Sequence, residues 1–144
     1  MAALTRVAAA LHPGGRAVLV FVCGGPRPSV EDVAMTVAQS PRWQEAFAGF
    51  VAPFVHLDPV DWQGMARSAG LTVDDVRVDD LSWDFESREA FTAWCAVGFG
   101  GWTRHLSEED GAAFVAQVVD SYAAATGSDH VFRFMQLVGR LTRP

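Results

Sequence analysis

The sequence contains no lysine: all 11 of its basic residues are arginine. The two side chains differ physically at planar, bidentate or stacked sites, so a chain-wide replacement reads as GC-rich codon usage and not as chemistry. Basic residues are also outnumbered, 11 against 17 acidic, for a formal net charge of −6. That balance excludes the basic stripe a nucleic-acid partner would require. No apolar run approaches the ~20 residues of a membrane helix, so no membrane partner is expected. The opening Met1–Leu11 has no basic segment ahead of an unbroken apolar run, so it does not read as a signal peptide. Only two cysteines occur, Cys23 and Cys95. They lie far apart in apolar settings and read as buried free thiols of a reducing cytoplasm, not as a disulfide. His12, His56, His105 and His130 show no metal-ligand spacing, and no metal site is expected.

What is present is a core. Half of the 144 residues are apolar and 19% are charged, with five Trp and ten Phe, which fits one compact domain over residues 1–144 and argues against disorder. No repeat, low-complexity run or linker divides the chain.

Leu4, Val7, Ala8 and Leu11 recur at helical spacing, and His12-Pro13-Gly14-Gly15 ends that helix. Ala17–Cys23 is a continuous β-branched and aromatic run, the pattern of a strand covered on both faces. Gly24-Gly25-Pro26 breaks it. An irregular helical region follows, in which Ser40-Pro41 is a helix start that places Trp43, Phe47 and Phe50 on one face. Asp58-Pro59 repeats the signal, Trp62, Met65, Ala66 and Ala69 form the next face, and Gly70 stops it. From Val73 the period becomes two. Val76 and Val78 alternate in one phase and Leu81, Trp83 and Phe85 in the other, as a β-bulge would produce. Ser87 caps a helix holding Phe91, Trp94, Cys95 and Val97, and Gly98–Trp102 interrupts it. Ser107-Glu-Glu-Asp110 resembles a capping box and opens a helix with the stripe Phe114, Val115, Val118, Val119 and Tyr122. The chain closes on a strand, His130–Leu141, apolar on both sides and therefore placed in the middle of a sheet.

Leu11-His-Pro-Gly-Gly-Arg-Ala-Val-Leu-Val20 resembles the turn and run that lead into the fifth strand of class I S-adenosylmethionine-dependent methyltransferases. Gly70-Leu71 before a Val-rich strand resembles the helix end ahead of their sixth. Ser40-Pro-Arg-Trp43, Phe47, Phe50, Pro53 and Phe85-Glu-Ser-Arg-Glu-Ala-Phe91-x-x-Trp94 are similar to the trans-aconitate and juvenile hormone acid methyltransferase type. The resemblance implies an α/β fold, the C-terminal half of a Rossmann-like methyltransferase. Its sheet would hold strands at about 17–23, 76–85 and 131–141, the last of them central and antiparallel, with a helical region like a substrate cap. It also implies S-adenosylmethionine as the family's cofactor. The family's cofactor loop and its acidic partner would precede Met1, and none of the Gly pairs here forms a strand–G-x-G-x-x-G–helix unit. No cofactor-binding residue is therefore carried over, no cofactor is expected on this chain alone, and catalytic residues and activity stay open.

By the same resemblance Trp43, Phe47, Trp94, Phe99 and Trp102 are candidates to line an acceptor pocket, with Arg42, Arg104 and His105 as polar contacts, a set that suits a carboxylate on an apolar body. Aromatic residues at helical spacing are more often core, and surface arginines more often solvated. Asp74-Asp75 and Asp79-Asp80 read as a solvated strand flank. Without the strand that precedes it in the parent sheet, Ala17–Cys23 is an open edge. It is expected to pair with a second copy, as a homodimer, or with a separate N-terminal half. The runner-up reading keeps the fold as a cofactor-free small-molecule binding module or cyclase; a third makes Met1 a misplaced start or the gene a decayed one.

Overall fold

A computed structural model of the chain describes residues 2–54 and 56–144. The elements run α1 (Ala2–Ala10), β1 (Arg16–Cys23), α2 (Val30–Ala38), α3 (Pro59–Ser68), β2 (Thr72–Asp84), α4 (Arg88–Gly98), α5 (Gly100–Thr103), α6 (Glu108–Thr126) and β3 (Val131–Thr142). The three strands form one sheet in the order β1-β3-β2, so the last strand is central. β3 is antiparallel to β1, in a register from Arg16 opposite Thr142 to Cys23 opposite Met135. It is antiparallel to β2 as well: the Thr142 hydroxyl donates to Asp74 Oδ2 at 2.6 Å, while at the other end Phe85 N donates to His130 O at 3.0 Å. This is the mixed α/β arrangement expected from the sequence.

The chain forms two interleaved compact units. The first comprises residues up to 27, then 56–81 and 134–144, and holds most of the sheet with α1 and α3. Its core joins Leu4, Cys23, Trp62, Ala66, Leu71, Leu137 and Leu141. Asp58 caps α3 by accepting from Val60 N at 2.7 Å, with Pro59 in the first turn, and Gly70 supplies the left-handed stop at φ 82°. The second unit, residues 28–55 and 82–133, is the helical part, built on α2, α4, α5 and α6. Phe91, Cys95, Trp102, Phe114, Val118, Val119 and Tyr122 are fully buried in it.

Several local expectations change. β1 is not covered on both faces. Ala17, Leu19 and Phe21 pack into the first core, whereas Val18 and Val20 are 61% and 55% exposed. An edge strand with helices on one face shows this alternation even when its sequence is uniformly apolar. The Ser40-Pro41 start does not open a regular helix. Residues 41–49 form successive turns, with bonds alternating between three- and four-residue spans: Trp43 N to Ser40 O at 2.9 Å, Phe47 N to Trp43 O at 3.0 Å and Phe50 N to Phe47 O at 3.0 Å. The regular helix of this region is α2, opened by a reciprocal capping box between Ser29 and Asp32. In β2 both Val73 and Val76 pack on the first core. A regular alternation would separate them, so the phase slips between Val73 and Val76, while Leu81 and Trp83 are exposed. Of the α4 stripe, Phe91 and Cys95 are buried, while Trp94 and Val97 are exposed at 40% and 84%.

Candidate functional site

In the second unit α2 ends at Ala38, and Gln39 begins the turns that carry the chain back past Phe47 and Phe50. Met35, Ala38, Gln39, Gln44, Phe47 and Phe50 line a cavity there of about 300 Å³. Two phenylalanines, Met35 and Ala38 share its wall with the amides of Gln39 and Gln44, and its exposed lining is more polar than apolar. Phe47 is fixed from three sides: Phe50 meets it edge-on at 5.3 Å, His105 edge-on at 5.0 Å, and Phe114 lies against it at 4.7 Å. His105 Nε2 bonds the Ala46 carbonyl at 3.0 Å, which ties its ring to the turn segment. Phe50 packs on Trp102 at 4.9 Å, and the buried Trp102 Nε1 has no hydrogen-bond partner among the described residues. An orphaned buried donor is uncommon.

The expected pocket residues are distributed unevenly around this cavity. Trp43, Phe99 and Trp102 are core residues, at 3%, 3% and 0% exposure. Trp43 donates Nε1–H to Gln117 Oε1 at 2.8 Å and lies edge-on to Phe114, and Phe99 meets Trp102 at right angles. Of the five expected aromatics, Phe47 is the one in the cavity wall. Trp94 sits outside it, its ring over Phe132 at 4.8 Å and Phe85 at 5.4 Å. Arg42 stacks its guanidinium over Trp43 at 4.6 Å, and Arg104 is an exposed residue at the end of α5. Met35, Ala38, Gln39, Gln44 and Phe50, which the resemblance does not mark as pocket residues, complete the lining. The Ser29-x-x-Asp32 box announces the helix that brings the first three of them there.

The acidic pairs of β2 answer to partners. Asp74 accepts from Thr142, Asp75 lies 4.0 Å from Arg140, Asp79 pairs with Arg77 and Asp80 with Arg27. The Gly24-Gly25 turn of the first unit is closed by packing. A Cβ on Gly25 would stand 2.4 Å from Met135 Cγ, and the Gly24 amide donates to Leu57 O at 2.9 Å. This turn does not fit a glycine loop left open to S-adenosylmethionine. Among the described residues no group of His, Cys, Asp and Glu is placed to hold a metal ion, and no helix is long and apolar enough to cross a membrane. Both cysteines are free and buried. Burial, reinforced by the Glu31 carboxylate, pushes the Cys95 thiol up to about 12.

No protein-family model matches the sequence, and no curated protein sequence does. Solved structures do. A candidate methyltransferase of Bacillus halodurans C-125 is 13% identical over 98% of this chain, with a TM-score of 0.54, and the chain spans 56% of its length. A phosphoethanolamine N-methyltransferase of Haemonchus contortus, solved with phosphomonomethylethanolamine and S-adenosylhomocysteine, is also 13% identical. There the TM-score is 0.42 and the span 29% of that protein's length. The chain thus has a methyltransferase-type α/β fold and spans about half the length of the Bacillus protein it matches.

Proposed function

We propose that the chain is the substrate-side half of an S-adenosylmethionine-dependent methyltransferase acting on a small molecule, a carboxylate or a natural product, and that it turns over only beside a complementary N-terminal half. The observation that carries this reading is the match across 98% of this chain to 56% of a candidate methyltransferase. The division of labour supports it: the first unit's Gly24-Gly25 turn is committed to packing, and the second unit holds the cavity beside Phe47 and Phe50. The acceptor sits against Phe47 and Phe50, with Gln39 and Gln44 as its polar contacts and His105 holding Phe47 in place. Trp94, Arg42 and Arg104, the remaining candidates, lie outside the cavity's lining. Orienting an acceptor that is already a carboxylate asks for no acid–base pair on this chain. The open edge Ala17–Cys23 takes a second copy or the complementary half, and the buried free thiols fit a cytoplasmic setting.

Calorimetric titration with S-adenosylmethionine tests the reading in two arms. The chain alone should take up none, and the chain mixed with a complementary half bearing a glycine-rich strand–loop–helix should bind it. Binding by the chain alone, or by neither preparation, overturns the proposal. An acceptor retained by Phe47 and Phe50 with neither arm binding S-adenosylmethionine favours the cofactor-free module instead.

A further inference from the structure

The first unit carries a surface that the second unit's cavity does not explain. β1 is an edge of the sheet, and its seven residues Ala17–Cys23 carry no charge and no proline. Sheet edges are ordinarily blunted by one or the other. On one face of this strand Val18 and Val20 stand exposed. Along its edge a groove of about 350 Å³ is lined by Leu19, Val20 and Phe21 together with Leu4, Trp62 and Met65. Free backbone, an apolar ridge and an apolar groove coincide on one strand. The ends of the strand differ in charge. The exposed Arg16 begins it; beyond Cys23, Gly24 bonds the Leu57 carbonyl at 2.9 Å, which sets the exposed Asp58 beside that end.

We infer that β1 pairs antiparallel with β1 of a second copy about a two-fold axis through Val20, joining two three-stranded sheets into one of six strands. The occupant follows from self-complementarity. A two-fold axis normal to the sheet keeps each residue on its own face, so paired positions must share parity, and the axis must pass through a residue. Placed at Val20, it pairs the whole uncharged run, Ala17 opposite Cys23 and Val18 opposite Val22. It also brings Arg16 of each copy to the end that carries Asp58 in the other, so both ends gain an opposite charge. Leu19 then lies opposite Phe21 along the groove, where each copy's side chains close the other's groove. An isologous contact of this kind closes at two copies and does not propagate. The inference deepens the partner reading above by fixing which occupant the chain takes when alone; a complementary half would compete for the same edge.

The test combines sedimentation with cysteine crosslinking. The chain, 15.6 kDa, should sediment at twice that mass at tens of micromolar, and Val20→Glu, which puts two like charges on the axis at an exposed position, should return it to the monomer with an unchanged circular dichroism spectrum. Val20→Cys should crosslink under mild oxidation, because directly opposed residues in an antiparallel pair are about 4.5–5.5 Å apart at Cα, within disulfide reach. Val18→Cys, roughly four residues out of register with itself, should not. A monomeric parent chain, a dimer that survives Val20→Glu, or crosslinking through Val18→Cys or Leu19→Cys in place of Val20→Cys overturns the inference. None of those outcomes touches S-adenosylmethionine binding by the complemented protein, so this inference and the function proposed above fail separately.

Discussion

Gly139 is the position where one methyl group should report on the packing of the sheet. It lies in β3 opposite Leu19, and an added Cβ would stand 2.1 Å from Trp62 Cη2 and 2.7 Å from Cζ3. The indole cannot move aside freely, since Trp62 is 3% exposed and its ring lies 5.6 Å from that of Phe21. Overpacking a core in this way costs about 1–3 kcal/mol. The stiffer unfolded chain returns about 0.4–1 kcal/mol, which leaves a net loss of about 1–2 kcal/mol for Gly139→Ala by the same comparison. At this chain length each kcal/mol moves the midpoint by about 3 °C, so scanning calorimetry should show Tm lower by about 3–6 °C, provided unfolding is reversible. Trp62→Phe removes the clashing atoms. In that background Gly139→Ala should cost less by at least about 0.5 kcal/mol, the coupling expected of residues in contact. A Tm equal to or above that of the parent, or strict additivity with Trp62→Phe, would refute the placement of α3 over β3.

Three further outcomes follow from the same geometry. Ser29→Ala and Ser107→Ala each remove a hydroxyl that accepts a backbone N–H at 3.0 Å at the start of α2 or α6; each should lower stability by about 1 kcal/mol in urea unfolding. His130 is held above its ordinary value of 6.5 first by its hydrogen bond to Asp129, whose carboxyl is drawn down by the same contact. A raised folded value adds stability that is complete below 6.5 and lost as pH climbs through the folded value. NMR titration should place the His130 midpoint above 6.5, and Asp129→Asn should bring it down. Cys95 is buried, with a thiol near 12, and Cys23 is raised chiefly by burial; a thiol reagent at pH 8 should label neither in the native chain and both in denaturant.

The elements most legible in the sequence were those whose signals are local. Asp58-Pro59, Gly70, Ser87 and Ser107 act through hydrogen bonds or dihedrals within four residues, and each sits at the helix end it announces. The central place of β3 was legible because an apolar pattern on both sides belongs to an inner strand. The same rule misread β1, whose exposed Val18 and Val20 are as apolar as its buried residues: composition cannot tell a covered face from an uncovered one. The site was less legible for the same reason. Trp43, Phe99 and Trp102 have the spacing of a pocket and are core, while Gln39 and Gln44 have no distinguishing pattern and reach the cavity only through the path of the turns after α2.

The account stands on β1 lying beside β3 in one antiparallel sheet. Cross-strand NOEs in the labelled chain test that most directly. They should pair Val20 with Val138 and Phe21 with Leu137, and continue toward Arg16–Thr142 at one end and Cys23–Met135 at the other. Helical shifts in either segment, or no contact between residues 17–23 and 135–141, would contradict it.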